Sequence, residues 1–201
     1  AAGVTRATLV GHSMGSLIAL EAAARTNVAG SVRRWAAPEA DQPARGAASE
    51  ASAGVSITID RLVMIGTCVP MPVPQALLDL SRKDVHAAID RVVSFSFSTL
   101  AAKPSFPGPG MWVQGAARSL MRMVAARSSD PQLFHTDFSA CNQYVDGMTA
   151  ATKVTCHAHL ILGDFDQMTL ARSAAPIADA LKAKIHRASA GHYVMQEAPD
   201  D

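Results

Sequence analysis

The chain has 201 residues, of which 49% are hydrophobic and 17% charged, and its formal net charge is +1. This length is sufficient for one sizeable globular domain. The charge is balanced and contains no run of about five like charges, so nothing indicates a nucleic-acid partner. No apolar stretch reaches the roughly 18–20 residues of a membrane span, so no membrane partner is predicted either.

The first predicted elements are a strand and a helix joined by the pattern G-x-S-x-G. An apolar run at 7–10 precedes Ser13, and an alanine-rich helical pattern extends from Gly15 to about Thr26. The two glycines permit a turn that is too sharp for larger side chains, so the serine Oγ projects alone. The helix N-terminus favours negative charge that develops at this serine. The pattern predicts a nucleophile elbow; a glycine-rich turn with a capping serine is the alternative.

The middle of the chain is less regular. Residues 28–56 are rich in Ala, Gly, Pro and Ser and contain no Leu, Ile or Phe, which predicts a disordered insertion. A strand pattern resumes over 57–65. Beyond residue 70 the chain becomes helical with interruptions, and the Pro- and Gly-rich stretch 104–110 indicates a hinge between two helices.

An acidic turn follows the next predicted strand. The apolar run 159–162 breaks at Gly163, and Asp164 and Asp166 follow directly. A helix is predicted from about 169 to 181. Both aspartates therefore lie in a loop after a strand, where an orienting acid of a catalytic site is expected.

A histidine follows the last predicted strand. The strand pattern covers 184–188, and His192 comes after a glycine in the loop beyond it. A serine hydroxyl is a poor nucleophile until a base takes its proton, and that base needs an acid to orient it. Ser13, an aspartate and His192 occur in the order serine, acid, histidine that G-x-S-x-G hydrolases use.

Three stretches, 11–16, 160–169 and 191–199, together resemble the esterase-like branch of the α/β-hydrolase superfamily. The resemblance implies an α/β fold in which a mostly parallel sheet is flanked by helices and carries a helical lid insertion. It divides the chain into a hydrolase core at 1–67, a helical cap or lid at 68–153 and further core at 154–201.

The resemblance also assigns roles to individual residues. It makes Ser13 the nucleophile and His192 the general acid/base. In this family the acid usually lies three residues after the strand-ending glycine, which favours Asp166 as the orienting carboxylate and leaves Asp164 as the alternative. The backbone N–H of Met14 is implied as an oxyanion-hole donor.

Relatives have several strands before the elbow, whereas only twelve residues precede Ser13. The resemblance therefore implies an N-terminally truncated fold, which lacks the first strands and the loop that carries the second oxyanion donor. It also implies that the final helix, at the other end of the fold, is missing. The expected reaction is hydrolysis of a small carboxylic ester or acyl substrate through an acyl-enzyme, without a cofactor. C–C bond hydrolysis, perhydrolysis and acyl transfer are alternatives, as is an inactive hydrolase-fold protein that binds small molecules.

Cysteines and histidines outside this set give no further site. Cys68, Cys141 and Cys156 are widely spaced, which favours reduced thiols and a cytoplasmic protein, although a signal peptide before Ala1 is not tested by this sequence. His157 and His159 alternate along a strand and share a face. No third ligand occurs at useful spacing, so no metal site is predicted.

Overall fold

The computed structural model describes residues 4–29, 57–98 and 112–201. The insertion predicted at 28–56 lies outside these residues, apart from its first two positions, which form the end of a helix. The hinge predicted at 104–110 also lies outside the described residues.

A single parallel sheet organises the described chain, and its four strands lie side by side in chain order. The strands are β1 (Arg6–His12), β2 (Thr58–Ile65), β3 (His157–Gly163) and β4 (Lys184–Ala188). Parallel neighbours require crossover connections, which helices provide here. The predicted α/β class, a parallel sheet flanked by helices, is confirmed.

Eight α-helices accompany the sheet in the described residues. They are α1 (Met14–Ala29), α2 (Gln75–Lys83), α3 (Val85–Ser96), α4 (Val113–Arg127), α5 (Leu133–Gln143), α6 (Gly147–Ala151), α7 (Ala175–Leu181) and α8 (Val194–Glu197). The helix predicted over 169–181 is shorter than expected, because a 3-10 turn at Ala171–Ala174 precedes α7. Pro176 lacks a backbone N–H and has a fixed φ, so it fits only the first turn of α7.

The main core lies on one face of the sheet. Alternate residues of β2 and β3 are fully buried there and pack against the helices of that face. The largest of these buried side chains are Leu20, Leu62, Met64, Leu160, Leu162 and Ile177. This packing fixes α1, and hence the residue that precedes it, relative to β2 and β3.

A second apolar cluster joins α3, α4 and α5, and it includes Ile89, Val93 and Ala117. These helices lie between β2 and β3 in the chain, within the predicted lid. Met71 and Ala150, near the two ends of that segment, instead belong to the main core. The limits 68 and 153 of the lid stay a prediction.

The outer edge of β1 has no partner strand among the described residues. Val10 on this strand is 63% exposed, and Ile18 on α1 is 61% exposed. Apolar side chains therefore accompany the open edge of the strand that leads to Ser13.

Two histidines contact each other on the sheet face opposite the main core. His159 Nδ1 lies 3.0 Å from His186 Nε2 on the neighbouring strand, and the stacked rings are 5.3 Å apart. A hydrogen bond between two imidazole nitrogens requires one ring to accept and thus to be neutral there. Burial, together with the charges of His186 and Arg61, lowers the pKa of His159.

We predict that this pair makes stability depend on pH. Unfolded histidine has a pKa of about 6.5; the folded form of His159 resists protonation, so the unfolded state binds more protons below that pH. Stability is therefore present above this range and lost as the pH falls through it. Urea unfolding midpoints should decrease between about pH 7.5 and 5.5. His159→Gln should show a smaller decrease, and an equal decrease would contradict the assignment.

Candidate active site

Ser13 occupies the turn between β1 and α1 in a left-handed conformation. Its φ is +52°, which residues other than glycine rarely adopt. Its N–H donates to the Ile65 carbonyl at the end of β2, at 2.9 Å. Its own carbonyl accepts the N–H and the hydroxyl of Ser16, at 2.8 and 2.6 Å. The neighbouring strand and the first turn of α1 thus hold the strained residue in place.

A pair of buried hydroxyls supports this turn. Ser16 Oγ lies 2.7 Å from Thr67 Oγ1, and neither residue is exposed to solvent. The contact joins the first turn of α1 to the loop after β2. Sequence reasoning missed both residues, since the only signal was a hydroxyl side chain directly after a glycine in each case.

The two glycines of the elbow have different roles. A Cβ on Gly11 would lie 2.2 Å from the Gly15 carbonyl oxygen and 2.7 Å from Ser16 Cα, whereas a Cβ on Gly15 would meet nothing within 4 Å. Only Gly11 is required for the close approach of β1 and α1.

We therefore expect Gly11→Ala to lower the free energy of unfolding by about 1–3 kcal/mol, because backbone atoms must move to admit the methyl group. The matched variant Gly15→Ala should leave stability unchanged or raise it by up to about 1 kcal/mol, since alanine favours the helix. Urea denaturation measures both variants. Equal losses in the two would show that the elbow is not packed as described.

Asp166 is 4% exposed, and its carboxylate accepts four hydrogen bonds. Oδ1 accepts the backbone N–H groups of Met168 and Thr169, at 2.8 and 2.9 Å. Oδ2 accepts the Thr169 hydroxyl at 2.7 Å and His192 Nδ1 at 2.8 Å. Burial by itself would raise the pKa of Asp166, but the hydrogen bonds and charge of His192 and the bonds from Thr169 outweigh it and lower that pKa. The carboxylate is therefore ionised at neutral pH.

Asp164 lies elsewhere. It is exposed to solvent and forms an ion pair with Arg187, whose Nε donates to Oδ1 at 2.7 Å. Of the two aspartates in the acidic turn, the structure brings only Asp166 to His192.

His192 is 2% exposed and has one nitrogen in use. Because the Asp166 carboxylate only accepts, His192 Nδ1 carries a proton in this contact, and Nε2 is the nitrogen that changes its protonation if the ring acts as a base. Nε2 is buried and has no hydrogen-bond partner among the described residues, so Ser13 Oγ does not bond to it here. Such bonds often form only when substrate is bound. Of the two imidazole nitrogens, Nε2 is therefore the one whose hydrogen-bonding capacity is unused within the described part of the chain.

His12, the residue before the serine, also contacts His192. Its Nε2 lies 2.9 Å from the His192 carbonyl, which can only accept, so His12 donates. The two rings are 4.7 Å apart. Burial, and then the adjacent His192, lower the pKa of His12. His12 is thus a neutral donor that joins the elbow to the histidine loop, a contact that sequence reasoning did not identify.

The loops after β1, β3 and β4 carry Ser13, Asp166 and His192, and they meet because parallel strands end at a common edge. Gly163 permits this, since a Cβ there would lie 2.2 Å from the Gly191 carbonyl oxygen. Met14 begins α1, and N–H groups in the first turn of a helix have no acceptor within it. The Met14 N–H, next to Ser13, therefore needs an acceptor from outside the helix.

Among the described residues, no three His, Cys, Asp or Glu side chains are arranged to hold a metal ion. Within the same residues, no helix combines the length and apolar character needed to cross a membrane. All three cysteines are free thiols, and Cys68 and Cys141 are buried.

The profile of the alpha/beta hydrolase family matches residues 1–201. The chain belongs to this family. Among curated proteins, none matches the sequence significantly.

Solved structures with similar folds include several hydrolases. The esterase from Exiguobacterium antarcticum superposes with a TM-score of 0.61 at 15% identity, over 96% of this chain and 62% of its own. The enol-lactonase from Burkholderia xenovorans superposes with a TM-score of 0.66 at 18% identity, over 98% of this chain and 62% of its own. A meta-cleavage product hydrolase superposes with a TM-score of 0.57 at 16% identity, over 98% of this chain and 62% of its own. The chain thus spans about 62% of the length of these structures, and at such identities the likeness shows the fold alone.

Proposed function

We propose that this hydrolase cleaves a small carboxylic ester through an acyl-enzyme formed on Ser13. The observation that carries the proposal is the buried Asp166–His192 pair, whose second imidazole nitrogen is unpaired among the described residues. His12 joins this pair to Ser13, the next residue, which has the left-handed conformation of an elbow. Nucleophilic catalysis requires an ionised acid, a histidine oriented by that acid and a serine at the end of a strand, and these three groups are the ones we assign to Asp166, His192 and Ser13.

The proposed reaction has two halves. His192 Nε2 takes the proton of Ser13 Oγ as that oxygen attacks the ester carbonyl, and it returns the proton to the departing alcohol. Water then attacks the acyl-enzyme by the same route and releases the acid. Asp166 stays ionised throughout and stabilises the imidazolium that forms twice in the cycle.

The oxyanion of each tetrahedral intermediate would accept the Met14 N–H. The positive end of α1 adds to this stabilisation, because the helix begins at that residue. Loss of one oxyanion donor typically costs about 10²–10³ in rate, which is the size of the contribution that we expect from the Met14 N–H.

The ester class is supported by the neighbouring folds, which include an esterase and an enol-lactonase. C–C bond hydrolysis, perhydrolysis and acyl transfer use the same serine and base and differ in the acceptor or in the bond cleaved. An inactive protein that binds small molecules is the opposing hypothesis, and covalent labelling distinguishes it from all of these.

We predict that a fluorophosphonate will modify Ser13 and no other residue. Attack on phosphorus requires the same deprotonated serine as attack on an ester, without the need to know the natural substrate. Peptide mapping by mass spectrometry locates the adduct, and circular dichroism confirms that each sample is folded. Ser13→Ala and His192→Ala should both abolish labelling. A folded wild-type chain that remains unlabelled would refute the proposed function.

The choice between the two aspartates gives a further prediction. Asp166→Asn should lower the labelling rate by up to about 10⁴-fold, since an amide no longer holds the productive imidazole tautomer. Asp164→Asn removes an exposed ion pair instead, and should leave the rate unchanged and stability within about 1 kcal/mol of wild type. Labelling rates and urea midpoints of the two variants test this, and the reverse ranking would assign the acid to Asp164.

A further inference from the structure

The two residues that flank His192 are linked to residues 96–98, one directly and one through a carboxylate. The Tyr193 N–H donates to the Ser96 carbonyl at 3.0 Å, and the Tyr193 ring stacks on Phe97 with centroids 5.0 Å apart. On the other side, Gly191 reaches the same segment through the carboxylate of Glu197. The histidine loop is therefore tied to residues 96–98 at two points.

Glu197 makes the second link, because its carboxylate accepts hydrogen bonds both from Gly191, nearby in the chain, and from Ser98, which is distant in the chain. Oε1 accepts the Gly191 N–H at 2.9 Å, and Oε2 accepts the Ser98 hydroxyl at 2.5 Å. The Ser98 N–H lies 3.2 Å from both oxygens. A carboxylate is acceptor-only and satisfies all three donors, whereas an amide would turn its NH₂ toward one of them.

Gly191 lies so close to Ser98 and Glu197 that position 191 has no room for a larger residue. A Cβ on Gly191 would lie 2.4 Å from the Ser98 nitrogen and 2.7 Å from Glu197 Oε1. Ser98 is itself buried. Movement of the 96–98 segment must therefore move the backbone directly before His192.

The same segment also contacts the loop that carries the acid. Gln167 Nε2 donates to the Phe97 carbonyl at 3.3 Å, and Ser96 Oγ lies 3.3 Å from Met168 Sδ. Residues 96–98 thus lie against both loops that place the Asp166–His192 pair.

We propose that Glu197 is a positioning residue, which couples the placement of His192 to that of helix α3 by binding Ser98 and Gly191 together. The proposal rests on the proposed function for its effect on catalysis. Because α3 packs with α4 and α5 in the second apolar cluster, a displacement of these helices by a bound substrate would reach His192 through this carboxylate.

Three variants test the coupling. Glu197→Gln replaces an acceptor by a donor at the junction, and Ser98→Ala removes one hydroxyl and nothing else. Ser94→Ala is the matched control, because its exposed hydroxyl donates to the Arg91 carbonyl of its own helix at 2.7 Å. A displacement of about 1 Å at a catalytic group can cost about 10²-fold. We expect fluorophosphonate labelling of Ser13 to slow by about 10- to 100-fold in Glu197→Gln, by less in Ser98→Ala, and not at all in Ser94→Ala.

A spectroscopic readout separates positioning from general stability. The proton on His192 Nδ1 bonds to Asp166 and gives a downfield NMR signal, which should shift or broaden in Glu197→Gln and Ser98→Ala and stay unchanged in Ser94→Ala. An unchanged signal in folded Ser98→Ala overturns the proposal, even where Glu197→Gln does not fold. A wild-type chain that is not labelled refutes the esterase proposal alone, because the NMR comparison still tests the coupling.

Discussion

A carboxylate removed from water is unfavourable unless its lone pairs are occupied, and this requirement organises the edge of the sheet that carries the candidate active site. Four donors satisfy Asp166, and they come from its own turn and from the loop after β4. Once the carboxylate is satisfied it retains its charge, and that charge fixes which nitrogen of His192 bears the proton. The charge of Asp166 and the position of the proton on His192 therefore follow from the backbone path of the loops after β3 and β4. That path depends on the close approach of Gly163 to Gly191.

His192 is constrained by contacts on several sides. Asp166 holds the ring, His12 holds its carbonyl, and Glu197 holds the residue before it. Gly66 lies so close that a Cβ there would be 3.0 Å from Nδ1. If His192 is the base that we propose, restraint of this kind would leave it little freedom to lose when it meets a substrate, which is how a preformed site limits the entropy cost of reaction.

The sequence was sufficient to predict the elbow, the parallel α/β architecture and the loop positions of Asp166 and His192, because each has a local signature. A strand that ends at a glycine or leads through G-x-S-x-G is visible within about ten residues. The roles of these residues stay predictions. The supporting contacts were not predictable: Ser16 meets Thr67 across 51 positions and Ser98 meets Glu197 across 99. Such contacts depend on how distant segments pack, and the hydrophobic periodicity of the sequence does not indicate them.

The strand that leads to Ser13 is also the strand whose outer edge is open among the described residues. Unpaired N–H and C=O groups along an edge are a template for another strand. A strand that added there would lie about 4.8 Å from β1 and would place its own side chains next to the exposed Val10 on the same sheet face. Strand β1 therefore both offers an edge for pairing with another strand and leads to the elbow that carries Ser13. A change in what pairs with β1 would therefore act on the strand that holds Ser13.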